Sequence, residues 1–251
     1  MRIAALYDIH GNLPALEAVL DDVRHAGVDH IVVGGDVLPG PMPRETMACL
    51  RALELPTTFI CGNADRETIA LMDGHGSSAI PASFREAMRW GASELTPDDV
   101  AFIRSWPPTT VLPVESLGDV LFCHATPRND TEVFTRHTSS DALAPVFRDV
   151  RQRIVVCGHT HMAFDRTVGE TRVVNAGSVG MPFGEPGAYW LLLGPDIEPR
   201  RTEYDLALAA QRVRATGYPQ ASEFAERNIL QPPTEQAMLE VFARAQIRAD
   251  G

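Results

Sequence analysis

No stretch of eighteen apolar residues occurs in the 251-residue chain, so no transmembrane helix is predicted. The opening residues, Met1-Arg2-Ile3-Ala4-Ala5-Leu6-Tyr7-Asp8, turn polar too early for a signal peptide. Cysteine is scarce, and none of Cys49, Cys61, Cys123 and Cys157 stands in C-x-x-C spacing. That removes a zinc knuckle and a thioredoxin-like pair, and the chain is expected to be cytoplasmic. Basic residues are outnumbered, 22 against 33 acidic, leaving a net charge of −11. Proteins that coat nucleic acid need the opposite balance, because their affinity comes from Lys and Arg on phosphates; stable nucleic-acid binding is not expected. Two phosphate-handling designs are missing as well, the Gly-x-x-x-x-Gly-Lys loop and the Asp-x-Asp nucleophile. Without repeats, low-complexity stretches or a linker, residues 1–251 are expected to form a single domain.

What is present is ordinary in amount. Hydrophobic residues make up 45% of the chain and charged residues 22%, enough for a core without disulfides or a partner. Five short apolar runs each stop at a polar residue. They are Ile3 to Tyr7 before Asp8, Ile31 to Val33 before Gly34-Gly35-Asp36, and Thr57 to Cys61 before Gly62-Asn63. The others are Val120 to Cys123 before His124, and Ile154 to Cys157 before Gly158-His159-Thr160-His161. Such runs read as buried strands, and Cys61, Cys123 and Cys157 at their ends read as small core residues. Leu13 to His25 and Arg44 to Glu54 supply helices between the first three. Strand–helix–strand–helix–strand predicts a parallel α/β sheet, whose ligands sit beyond the carboxyl ends of the strands.

A helical insert is expected at about 65–110, with Phe84, Ala87, Met88 and Leu95 as its apolar face and Thr96-Pro97-Asp98-Asp99 as a helix start. Beyond Gly158, strands are expected at Phe164 to Val168, Thr171 to Asn175, Ala188 to Leu193 and Ile197 to Tyr204. Gly169-Glu170 reads as the hairpin turn of the first pair. A helical tail is expected over about 205–251.

The strand ends collect Asp8, His10, Asp36, Asn63, His124, His159 and His161. Carboxylates, imidazoles and one amide oxygen suit Mn2+, Fe or Zn2+ better than Ca2+ or a thiolate-bound metal. Seven ligands exceed the needs of one transition ion. With one carboxylate shared, they divide between two ions about 3.5 Å apart.

Asp8-Ile9-His10-Gly11-Asn12, Gly34-Gly35-Asp36, Gly62-Asn63-Ala64-Asp65, His124-Ala125 and Gly158-His159-Thr160-His161 together resemble the signature of the calcineurin-like metallophosphoesterase superfamily. The resemblance runs from residue 1 to about 193, through Asn175-Ala176-Gly177-Ser178-Val179-Gly180, and is nearest the small stand-alone bacterial and archaeal phosphodiesterases. It implies a four-layer α/β/β/α sandwich of two mixed β-sheets. It implies that Asp8, His10 and His161 hold one divalent ion, that Asn63, His124 and His159 hold a second, and that Asp36 bridges them, with Mn2+ the first choice. The implied activity is hydrolysis of phosphodiesters, or of phosphomonoesters or nucleotides. The nucleophile would be a hydroxide between the ions, attacking in line without a covalent phospho-enzyme. The substrate expected is a small phosphate ester or nucleotide-like molecule. The alternatives are a protein phosphatase and a non-catalytic scaffold like the retromer's phosphoesterase-like subunit. A scaffold can lose ligands, whereas all seven are present. A DNA-processing nuclease of the superfamily is disfavoured by the acidic charge.

Two positions depart from the family pattern. Ala64 stands where many members carry a His that protonates the leaving group, which weighs against hydrolysis of alkyl phosphomonoesters. Ala176 stands where relatives often carry Pro, with Gly177 keeping the turn. Asn12, Asn63, Arg66 and Arg128 are the candidate substrate contacts, the arginines through planar forks on phosphate oxygens. Asn12 also reads as the N-cap of the Leu13 helix, and Asp65 as the cap of a helix starting near Arg66. His75 and His137 lie outside the motifs and read as surface or core residues first, proton donors second.

Overall fold

The computed structural model describes residues 1–75 and 80–248; positions 76–79 of the expected insert and 249–251 of the expected tail lie outside them. In strand β1 (Ile3–Leu6) every residue is buried. Ile3 and Ala5 enter one apolar cluster while Ala4 and Leu6 enter another, the period-2 alternation of a strand covered on both faces. β1 pairs in parallel with β2 (His30–Val33), and β2 in parallel with β3 (Thr57–Phe59). Helices α1 (Leu13–Ala26) and α2 (Pro43–Arg51) make the crossovers. The insert region holds α3 (Asn63–Met72), α4 (Ala82–Ser93) and α5 (Pro97–Arg104), the last opened by a Thr96–Asp99 capping box.

The chain then builds β4 (Thr109–Val114), β5 (Gly118–Cys123), α6 (Ser140–Phe147), β6 (Ile154–Cys157), β7 (Phe164–Val168) and β8 (Thr171–Asn175). It returns through β9 (Ala188–Leu193) and β10 (Ile197–Thr202). The two mixed sheets have the orders β10-β9-β1-β2-β3 and β4-β5-β6-β8-β7. Ile3, Ala5, Tyr7, Val32 and Leu191 of the first meet Val120, Phe122, Val156 and Val174 of the second, forming the inner core. The outer face of the first sheet packs on α1, α2 and α5, and that of the second on α6. The layers are α/β/β/α. Beyond β10 lie α7 (Leu206–Arg214), α8 (Ala221–Phe224), a π-helical turn at Ala225–Leu230 and α9 (Glu235–Phe242). No helix among the described residues is long and apolar enough to cross a membrane.

Several details differ from the sequence expectation. β4 was masked by Pro107, Pro108 and Pro113; as an edge strand it bonds on one side only and tolerates Pro113. Helix α6, started by Ser139, carries Pro145 inside it and gave no helical reading. Ala87 and Met88 of α4 are buried, Ala87 against α7, α8 and the turn after α8, but Phe84 is 52% exposed and does not join that cluster. Cys123 and Cys157 are core residues, whereas Cys61 is half-buried at the end of its run.

Candidate metal centre

The strand ends turn sharply. Asp8, His10, Asp36, His159 and His161 all adopt left-handed φ, between 46° and 67°; among the described residues only one other non-glycine, Ser116, does so. Such backbone costs on the order of 1–3 kcal/mol per residue and persists only where surroundings impose it. Neighbouring loops impose it here. The N–H of Asp8 donates to Gly35 O at 3.1 Å and that of His10 to Asp36 O at 2.9 Å. The Asp8 carbonyl accepts from the Ser178 hydroxyl at 2.8 Å and from Gly180 N–H at 3.0 Å. Close approach requires glycine at two of the motif positions. A Cβ on Gly158 would lie 2.5 Å from Asp8 Oδ2, and one on Gly62 would collide with Asp36 Oδ1.

The turns bring the polar residues into two adjoining groups. One ligand atom each from Asp8, His10 and His161 lies within 4.8 Å of the others, and the same holds for Asp36, His124 and His159. Each group takes residues from both sheets, so the centre sits on the seam of the sandwich. Asp8 Oδ1 is 3.3 Å from His161 Nε2 and 3.9 Å from His10 Nε2. Asp36 Oδ2 is 3.3 Å from His124 Nε2 and 3.8 Å from His10 Nε2, and so faces both groups. Its other oxygen is occupied by the Ala64 N–H at 2.8 Å. Asn63, the first residue of α3, sets its amide oxygen 3.1 Å from His124 Nε2. Turned over, the amide would donate to the His124 and His159 rings; a cation calls for the oxygen inward.

The donor set fits divalent cations on grounds independent of residue type. Asp8 Oδ1 is buried with no hydrogen-bond partner, a rare condition for a carboxylate oxygen. His124 Nδ1 lies 2.9 Å from Gly34 O, and His161 Nδ1 lies 2.7 Å from Met181 O. A proton on each Nδ1 satisfies these carbonyls and leaves the Nε2 lone pairs turned inward, the usual arrangement of ligating histidines.

The charges are strongly coupled. Burial opposes ionisation of Asp36, but His124 and His10 outweigh it and hold the carboxyl well below the usual range. Burial likewise disfavours the His124 cation, and the Asp36 and Asp8 charges override it, pushing the ring up to about 10. His159, desolvated and beside His124, falls to about 4. Cations in the two groups would take over the balancing that these protons perform, and their binding would release protons.

Asp65 is the residue that motif reading undervalued. It is fully buried, third in α3 rather than at its cap, and accepts backbone N–H groups from Asp36 (2.8 Å), Leu38 (3.0 Å) and Gly62 (3.1 Å). One carboxylate thus pins the loop of Asp36 to the helix of Asn63. Burial and the Asp36 charge push it up to about 7, against those donors. Tyr7, whose hydroxyl donates to Val156 O, adjoins a motif, and Ser178, which holds the Asp8 carbonyl, lies within one, but neither pattern names a partner.

The remaining candidates separate clearly. Asn12 is fully buried, its oxygen taking Ala15 N–H at 3.3 Å and its nitrogen donating to Gly180 O at 2.9 Å. It caps α1, the first of the two roles the sequence offered, and ties down the loop at residue 180. Arg66 is exposed on α3 and forks onto Asp130 at 2.7 and 3.0 Å, with Glu67 at 2.6 Å. Arg128 forks onto Glu132, the shortest bond being 2.6 Å. Both already serve carboxylates, so phosphate contact would require exchange of partners. His75 and His137 are exposed.

Two mixed five-stranded sheets with a histidine- and carboxylate-lined seam define the metallophosphoesterase class. Residues 1–194 match the family model of the calcineurin-like phosphoesterase superfamily domain, and the chain belongs to that superfamily. The family implies hydrolysis of phosphate esters with divalent metal ions. The chain is 27% identical over 237 residues to an uncharacterized protein of Methanocaldococcus jannaschii, covering 84% of this chain and 91% of that one. A crystal structure of a metallophosphoesterase from Sphaerobacter thermophilus is similar with TM-score 0.72 and 27% identity, over 90% of this chain and 97% of that one. A hypothetical protein from Pyrococcus horikoshii shares the fold with TM-score 0.79 at 20% identity, over 93% and 99% of the two chains.

Proposed function

We propose that the chain is a dinuclear phosphoesterase acting on small phosphodiesters, nucleotide-like ones included. In this reading Asp8, His10 and His161 hold one ion, Asn63, His124 and His159 the other, and Asp36 serves both. The observation that carries it is Asp36 Oδ2, which lies within 4 Å of histidines from both groups. The mixed oxygen and nitrogen donors favour Mn2+, with Fe and Zn2+ as substitutes. When bound, such ions would lower the pKa of an attacking water and offset charge on the phosphoryl oxygens.

The chain's own residues supply the rest. Asp65 holds the Asp36 loop, Gly34 and Met181 carbonyls set the histidine tautomers, and the left-handed turns gather the ligands into the two adjoining groups. Ala64 brings no proton to the departing oxygen. Esters whose leaving oxygen tolerates negative charge, diesters and aryl esters, are therefore preferred over alkyl monoesters. Elemental analysis after Mn2+ loading is expected to find two ions per chain. A single ion at saturation, undisturbed by Asn63→Ala, would overturn the dinuclear reading.

A further inference from the structure

The superfamily match ends at residue 194, yet the chain continues and comes back to the metal centre. The Phe183 ring stacks on the ligand-group residue His161, centroids 5.3 Å apart and planes 21° from parallel. Phe242, in the last turn of α9, stands 6.1 Å from Phe183. Both rings are only half-buried, so both keep exposed surface.

The tail is fastened on both sides of them. On one side Gly184 N–H donates to Pro233 O at 2.9 Å, in the loop whose Met181 carbonyl orients His161. On the other, Arg136 pairs with Glu235 at 2.7 Å, Thr138 hydroxyl donates to Gln246 Oε1 at 3.0 Å, and Ile247 N–H donates to Val133 O at 2.9 Å. These last contacts lie in the segment that follows His124. Residues 233–247 therefore strap the loop of one ligand group to the loop of the other.

Extending the phosphoesterase reading, on which this step rests, we propose that Phe183 and Phe242 form an aromatic platform. It would determine specificity by stacking the flat organic group of the substrate, a nucleobase or aryl ring, beside the His161 side of the centre. An aromatic face accepts any base or aryl ring, because each offers a π surface, and gives nothing to a methyl group. Inorganic phosphate and small alkyl esters would bind through the metal groups alone.

Phe242 is the position to test, since it touches Phe183 but none of the ligand residues in the observed ring contacts. Calorimetric titration of Mn2+-loaded protein would compare AMP with methyl phosphate, two alkyl monoesters that the absence of an acid at Ala64 leaves slow to hydrolyse. AMP is expected to bind ~10-fold or more tighter, in line with the stacking of one base. Phe242→Ala should bring the ratio of the two affinities close to one, and Phe242→Trp should keep it. Equal binding of the two ligands by the unmodified protein would overturn the platform. So would a Phe242→Ala protein that weakens both ligands by one factor, because a merely structural ring moves them together. Failure of both to bind would instead overturn the phosphoesterase reading beneath it.

Discussion

The bodies of the strands and their carboxyl ends obey opposite rules. In β1 the residues Ile3 to Leu6 are apolar, regular and without exposed surface; two residues later the chain is acidic, left-handed and still buried. Asp36 repeats this reversal after β2, and after β6 the backbone again turns left-handed at the half-buried His159 and His161. The bodies lower the free energy of folding by burying apolar area on both faces. The ends oppose it, through strained backbone and charges taken out of water. Only a rigid sandwich can hold such ends in place, and the difference locates the chemistry without reference to any motif.

The comparison breaks if body and end cannot be perturbed separately. Leu191→Ala, in the inner core, should cost ~2–5 kcal/mol of unfolding free energy by urea titration while leaving metal per chain unchanged. Proportional loss of metal would mean that the two regions are not separable. At the rim, Asp36→Asn should lower kcat by more than ~10²-fold, about 2.7 kcal/mol, at saturating Mn2+. Near-normal turnover there would show that Asp36 is not the shared ligand.

Chemistry at the rim sharpens the contrast further. Across a series of aryl and alkyl esters, kcat/KM should fall steeply as leaving-group pKa rises. Ala64→His should recover roughly 10-fold on the poorest leaving groups, below the ~10²–10⁴-fold of a well-placed acid. A flat series in the unmodified protein, with chemistry rate-limiting, would place a proton donor elsewhere, with His75 and His137 first to examine.

The smallest effect lies far from the seam. Asp99 accepts from the Thr96 N–H and hydroxyl at the start of α5 and pairs with Arg51 at 3.0 Å. Burial resists its charge, but these partners hold its carboxyl below the usual range. A depressed carboxylate contributes stability above its unfolded pKa, near ~3.9, and loses it as pH falls through the lower folded value. Asp99→Asn should therefore cost ~1 kcal/mol at pH 7, and the difference from the unmodified protein should shrink below about pH 3.9. An equal difference at pH 7 and pH 2.5 would assign the effect to packing.

The sequence alone determined every strand but β4, and pointed to the candidate site at their carboxyl ends. Apolar runs cut off by Asp, Asn or His are legible because strand burial and rim polarity are local properties of a few residues. The capping box at Thr96 and the hairpin at Gly169-Glu170 were legible for the same reason. Tertiary structure alone decided what depends on distant partners. Asp36 faces both histidine groups because β1 sets His10 beside it from its own sheet and β5 brings His124 to it from the other. Asn12 turned inward because residue 180 supplied an acceptor, and Asp65 became the clamp between the Asp36 loop and the start of α3 because three of their N–H groups converge there. Phe183 and Phe242, 59 positions apart, carry no periodicity that joins them. Propensity and pattern act over a few residues, whereas these contacts arise when two sheets close on each other and the tail crosses the rim.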